Sequence, residues 1–326
     1  MLTYRQILDK IDQLEEAKTL SAALELGIFS ILKKDALSAR VIARRAGTQP
    51  LETEMFLDVL VAMGALFKRG GRYRNTPETF KHFCASSPHY KKGMVMLRGE
   101  DRKEWSRLVE SIKNGRDLSE YEGGDDPEFR RLFTYAMHER SEFYSEKVAG
   151  IVTRRPVGRL LDLGSGPGSY SAVILRKDKK ATATLLDRPA ALKVAREIHQ
   201  NHFVAQRLSF KQGDLFETDF GRDFDTVFYS NILHIYNPAE NKKLFRKIHR
   251  CLVPGGRCIL VDLFLKENRK EPYEAAMFAM TMLLYTATGR TYTFKETESL
   301  LRAAGFSSFR RFPLEEGSSL LEAVKR

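Results

Sequence analysis

The stretch Arg159-Leu160-Leu161-Asp162-Leu163-Gly164-Ser165-Gly166-Pro167-Gly168-Ser169 decides the fold. An apolar run of β type ends in three alternating glycines, and the helix-like segment Tyr170 to Arg176 follows at once, which reads as strand, tight turn and helix. Glycine suits such a turn because it tolerates positive φ and lets the backbone approach a ligand with no Cβ in the way. The spacing Gly164-x-Gly166-x-Gly168 is one residue shorter than the G-x-G-x-x-G dinucleotide pattern, so a pyrophosphate cradle fits poorly.

Moving outward, Ala181 to Asp187 is a second strand ending in a carboxylate, placed to accept hydrogen bonds from ribose hydroxyls at the edge of a crevice. A third, Leu208 to Gly213, leads into Asp214, Leu215 and Phe216, a set that suits adenine: Asp214 accepting from the exocyclic amine, Phe216 or Leu215 packing on the ring. A fourth, Phe224 to Ser230, runs into Asn231-Ile232-Leu233-His234, and a fifth spans 256–265 after a Pro254-Gly255-Gly256 turn. Strands alternating with helices predict an α/β, Rossmann-like doubly wound, mostly parallel sheet, completed by an antiparallel hairpin over Phe306 to Val324. The glycines, Asp187, Asp214 and His234 all fall at the carboxyl ends of its strands.

The segments LDLGSGPGSYS (161–171), LLD (185–187), GDLF (213–216), SNILHIYNPAEN (230–241), LVPGGRCILVDLFL (252–265) and GRTYTFKETESLLRAAGF (289–306) resemble the class I S-adenosylmethionine-dependent O-methyltransferases of the caffeic acid, hydroxyindole and bacterial polyketide-tailoring type. The match follows the family's order and spacing over 157–326, and the N-terminal half also fits. The resemblance implies S-adenosylmethionine held by Gly164, Ser165, Gly166, Asp187, Arg188, Asp214, Leu215, Phe216, Ser230 and Asn231, with Ser141 or Tyr144 near its methionyl end. It implies an acceptor pocket of Phe133, Met137, His138, Phe278 and Met282, with Asn231 able to orient the acceptor. It also places His234 as general base. Where plant members follow that histidine with Asp and Trp, this chain has Ile235 and Tyr236. Where they flank it with glutamates, this chain has Asp262 and Thr291. Asp262 can still orient the imidazole, directly or through a water.

Apolar positions from Ile7 to Ile31 recur at helical spacing and predict two helices joined near Thr19 to Ser21. Ser38 caps a helix over Ala39 to Ala46, Leu51 to Met63 forms another, and Leu66 to Arg74 alternates around Gly70-Gly71 as a hairpin. The outline is a winged helix, otherwise all helical. The family uses this module to dimerise and to close over the neighbour's active site. With a net charge of +12, a nucleic-acid-binding winged helix is the rival reading. Yet the helix in the recognition position carries Glu52, Glu54 and Asp58 and no Lys or Arg, the wrong sign for phosphate.

Residues 77 to 112 read as further helix, 114–126 as a polar loop, and Glu128 to about Val148 as one long helix. The expected domains are 1–113 and 114–326, with a helical connector over 127–150. A hydrophobic fraction of 43% without a long charge-free apolar run argues against a membrane protein, and the charged N-terminal helix against a signal peptide. Three cysteines, Cys84, Cys251 and Cys258, fit neither a disulfide framework nor a zinc site and suit a reducing cytoplasm. No metal is expected, because Asp187 and Asp214 already have nucleoside roles.

A sulfonium methyl donor carries its own leaving group, so the protein has to align an acceptor and remove its proton. Histidine is the usual base at neutral pH. Of seven histidines, His234 has the catalytic position and His138 is in reserve; the other five have surface or packing readings. The chain is therefore expected to be a homodimeric O-methyltransferase acting on an aromatic or polyketide-like small molecule. C- or N-methylation, or a relative that has lost methyl transfer, is the alternative on the same fold.

Overall fold

In the computed structural model, which describes residues 1–99, 103–116, 126–315 and 317–326, contacts cluster into two units, Met1–Arg102 and Lys103–Arg326. The first unit opens with α1 (Tyr4–Glu25), capped by Thr3 and Gln6 in a reciprocal box. The break expected near Thr19 is absent, because the Thr19 hydroxyl donates back to the Glu15 carbonyl at 2.9 Å and stays within the helix. The chain breaks instead at Gly27, whose φ is 65°. There follow α2 (Ile28–Leu32), β1 (Leu37–Ser38), α3 (Ala39–Ala46), α4 (Pro50–Ala62), β2 (Leu66–Arg69), β3 (Arg72–Asn75), α5 (Pro77–Phe83) and α6 (Lys92–Gly99).

The wing turns at Gly70-Gly71, both at positive φ as a two-residue hairpin of this kind requires. It is broader than a hairpin, since β1 pairs with the outer side of β3 in the order β1-β3-β2. Leu32, Ile42, Leu57, Leu60 and Tyr73 form the core of this unit. Lys68 of the wing donates to Asp58 Oδ1 of α4 at 2.6 Å, and Tyr73 to the same oxygen at 2.7 Å. On α1, Ile7, Leu8, Ile11 and Leu14 stay exposed and line one apolar face.

The second unit is built on strands β4 (Arg159–Leu163), β5 (Thr182–Asp187), β6 (Leu208–Gln212), β7 (Phe224–Ser230), β8 (Leu252–Leu265), β9 (Tyr292–Thr293), β10 (Phe306–Pro313) and β11 (Ser318–Lys325). The order is β10-β11-β8-β7-β4-β5-β6, with β9 pairing β8. The pairs from β6 across to β8 are parallel, and β11 and β10 close the edge antiparallel. Alternation along the strands divides the core between the two faces. Leu161, Leu163, Val227, Tyr229, Cys258 and Leu260 pack on one side, and Leu160, Phe228, Ile259 and Val261 on the other. Successive strands run outward in opposite directions from β4 and β7, so the crevice at their carboxyl ends is the topological switch point.

Helices α7 (Leu108–Asn114), α8 (Pro127–Ser141), α9 (Ser145–Val152), α10 (Ser169–Lys177), α11 (Pro189–His199), α12 (Pro238–Cys251), α13 (Tyr273–Tyr285) and α14 (Phe294–Arg302) complete the unit. The long helix expected from Glu128 is two. Ser141 turns its hydroxyl onto the His138 carbonyl at 2.6 Å, and Tyr144 leaves the helical region at φ −140°, its ring stacked on Tyr170. Pro254-Gly255-Gly256 lies inside β8 as an irregularity: the partner of Phe224 is Leu252, while that of Thr226 is already Arg257. Lys103–Asn114 belongs with the second unit, ahead of the expected boundary at 113/114. Tyr285 donates to Glu104 Oε2 at 2.9 Å, and Arg116 Nη2 to the Gly289 carbonyl at 2.7 Å. The loop expected over 114–126 falls mostly outside the described residues.

Candidate active site

The glycine turn hangs from the neighbouring strand, with the amides of Gly164 and Ser165 both donating to the Leu186 carbonyl. Gly164 has φ 63°, and a Cβ there would come within 2.3 Å of Ile232 Cδ1. The turn after β4 therefore lies close against the segment leaving β7, with no room between them for a Cβ. Beneath it, Asp162 is buried and accepts from Ser171 Oγ at 2.6 Å; burial pushes its carboxyl up to about 7.

Asp187 holds this turn as well as facing the crevice. One oxygen accepts from Gly166 N at 2.6 Å and the other from Arg188 N at 2.7 Å. Burial raises its pKa, opposed by those two amides and by the charge of Arg130. Each oxygen keeps a lone pair for a ribose hydroxyl. Asp187→Ala is therefore expected to weaken binding of S-adenosylhomocysteine in calorimetry and also to cost about 1–3 kcal/mol in urea denaturation, from the orphaned amides. Unchanged affinity would refute the ribose assignment. Ser165 Oγ is buried without a hydrogen-bond partner among the described residues, and a Cβ built on Gly166 meets none of them within 4 Å. A polar group and open backbone thus face the same turn, which fits a bound nucleoside.

At the end of β6, Asp214 Oδ1 accepts from Phe216 N at 2.7 Å, and Oδ2 lies 3.7 Å from Arg188 Nη2. Leu215 is buried, and Phe216 meets Tyr236 edge to face at 5.0 Å. Sequence reasoning missed the group that fixes this loop. Lys247 Nζ donates to the carbonyls of Leu215, Phe216 and Thr218 at 2.6, 2.8 and 2.9 Å. Its signal was a lysine in line with buried Leu244, Ile248 and Cys251 on α12. A cavity of about 790 Å³ opens beside Arg188, between the starts of α8 and α11.

Asn231 leaves β7 at φ 56°; its amide donates to Val261 O at 2.8 Å and its side chain to Ser230 Oγ at 3.0 Å. Phe133 and Met137 lie one turn apart on α8, with Phe129 stacked on Phe133. His138 does not join them: its Nδ1 meets Ser169 Oγ at 2.7 Å, at the start of α10. His199, read from sequence as packing or surface, is buried with Nε2 at 2.8 Å from the Pro167 carbonyl, behind the glycine turn.

His234 sits in a 3₁₀ turn (Leu233–Ile235) and is 7% exposed. Its Nδ1 is 2.7 Å from Asp262 Oδ1, which also accepts from Leu263 N at 2.7 Å, so no water is needed between them. Asp262 Oδ2 is buried and has no partner among the described residues. Phe278 of α13 meets the imidazole edge to face at 4.8 Å, and Met282 follows one turn on, buried. From the far side, Arg290 N donates to the His234 carbonyl at 2.9 Å, and a Cβ on Gly289 would lie 2.3 Å from that oxygen. Thr291 is buried beside this contact. Among the described residues no three His, Cys, Asp or Glu side chains converge as metal ligands, and no helix is long and apolar enough to cross a membrane.

A family model described as the O-methyltransferase domain matches residues 105–307, and one described as the O-methyltransferase dimerisation domain matches 9–79. The chain is 29% identical to the tetracenomycin polyketide synthesis 8-O-methyl transferase TcmO of Streptomyces glaucescens over 90% of this chain and 88% of that one. It is 28% identical to the 3-hydroxy-5-methyl-1-naphthoate 3-O-methyltransferase of Streptomyces sahachiroi, over 95% and 92% of the two chains. The structure of human N-acetylserotonin methyltransferase in complex with SAM superposes with a TM-score of 0.86 over 99% of this chain and 97% of that one, at 23% identity, a likeness of fold.

Proposed function

Because the chain belongs to the S-adenosylmethionine-dependent O-methyltransferases that carry a dimerisation domain, we propose that it methylates a hydroxyl of an aromatic or polyketide-like small molecule with His234 as general base. The observation that carries this reading is the 2.7 Å contact between His234 Nδ1 and Asp262. It fixes the tautomer, so that Nε2 holds the lone pair. Bound S-adenosylmethionine supplies an electrophilic methyl on a sulfonium that is its own leaving group. His234 Nε2 then takes the proton of the acceptor hydroxyl as its oxygen gains the methyl, and Asp262 steadies the imidazolium.

Phe278, Met282, Phe133 and Met137 are proposed to sandwich a flat acceptor, with Asn231 orienting it. Gly164, Ser165, Gly166, Asp187, Arg188, Asp214, Leu215, Phe216, Ser230 and Asn231 are proposed to hold the cofactor, and Ser141 and Tyr144 to lie towards its methionyl end. The apolar face of α1 supports a homodimer through the N-terminal unit. The three free, buried thiols suit a reducing compartment, and the cytoplasm is the proposed setting. No nucleic-acid role is proposed, since the Lys68 ammonium of the wing is already engaged by Asp58.

Labelled S-adenosylmethionine and a panel of naphthols, hydroxyindoles and aromatic amines test this. Methyl ethers of the hydroxylated aromatics are the expected products. Methyl on nitrogen or carbon would replace O-transfer, and salt-sensitive duplex DNA binding without cofactor binding would replace the enzyme reading.

A further inference from the structure

We propose that Asn241 is the positioning residue of the catalytic turn: its amide aims His234 at the acceptor. The inference rests on His234 being the base. Asn241 lies in the first turns of α12 and is fully buried. Its Nδ2 donates to the carbonyls of Leu233 and Tyr236, both at 2.9 Å, the residues on either side of His234 and Ile235. Its Oδ1 accepts from the Tyr229 hydroxyl at 3.0 Å, on the strand that leads into the turn. The orientation of the amide is thereby decided, because carbonyl oxygens only accept and the phenol donates.

Tyr292 completes the arrangement, its hydroxyl reaching both the Tyr236 carbonyl and, at 3.2 Å, Asn241 Nδ2. One side chain therefore spans β7, the His234 turn and α12, while Asp262 holds only the imidazole. Asp262 sets which nitrogen carries the proton; Asn241 sets where the ring stands. In the sequence this residue closes the helix-capping segment IYNPAEN (235–241) and reads as an ordinary polar helix position.

Asn241→Asp tests the role at constant size, since it replaces the paired donor by acceptors facing two carbonyls. Asn241→Ser is the milder partner. S-adenosylhomocysteine calorimetry on each reports that the variant is folded, with the affinity of the parent expected. Against that, kcat should fall on the order of 10²-fold with KM little changed, the scale of a small misplacement of a reacting group. The ¹H and ¹⁵N signals of the His234 imidazole should shift, and the Nδ1 proton bonded to Asp262 should move or exchange faster. Cofactor-binding variants with parental kcat and an unmoved His234 signal would overturn the proposal. Should His234→Ala keep full turnover, the base reading fails instead, and the His234 signal in the Asn241 variants still decides whether the latch sets the ring.

Discussion

His234→Ala is expected to lower kcat by about 10²- to 10⁴-fold, the range that a positioned proton acceptor contributes, while leaving S-adenosylhomocysteine affinity at the parental value. The two effects separate because the imidazole is held by Asp262 and Phe278 and by no residue of the glycine turn or of the Asp214 loop. The size of the loss should depend on the acceptor. A phenol that is largely ionised at the assay pH brings its oxygen ready for attack and gains little from a base, so a nitro-substituted acceptor should lose far less than an unsubstituted one. Single-turnover rates across a series of acceptors of graded acidity give the test. A uniform loss over the series, or none, would leave alignment alone as the contribution of this site.

The second large effect is one of stability. The Asp162 carboxyl, pushed up to about 7 by burial, with Ser171 opposing and the charge of Asp187 adding to the rise, binds its proton more tightly folded than unfolded. Its contribution is therefore fully present at pH values below the unfolded pKa near 3.8 and is lost as pH climbs through about 7. At about 1.4 kcal/mol per unit the loss is on the order of 4 kcal/mol. Asn in its place keeps an acceptor for Ser171 and has no proton to lose. Asp162→Asn should therefore gain on the parent by that amount in urea denaturation between pH 4 and pH 8. Parallel pH profiles for the two proteins would show that Asp162 is not the group responsible.

The sheet was legible because its strands announce themselves one by one. Leu160 to Leu163, Ala183 to Leu186 and Val227 to Tyr229 alternate or run apolar, and they end at Gly164, Asp187 and Ser230-Asn231. What sequence hid was the work of side chains on distant backbone. Lys247 and Asn241 look like ordinary helix residues, and nothing local says which carbonyls they satisfy. Thr19 misled in the opposite direction: it reads as a helix end, yet its hydroxyl stays bonded inside α1. Asp187 reads as a candidate nucleoside contact by its place at a strand end, but its hold on Gly166 depends on how closely the turn after β4 approaches β5. Periodicity carries no such distance.

Leu163 and Tyr229 are register partners on β4 and β7, so the loop proposed to face the methyl donor and the loop proposed to carry the base start one inter-strand spacing apart, about 4.8 Å. Hydrogen bonds of the ladder keep that separation, whereas the walls proposed for the second molecule come from α8 and α13, outside the sheet. Exchanging those helices for ones of other shape would retarget the enzyme to a new compound and leave its reactive geometry intact.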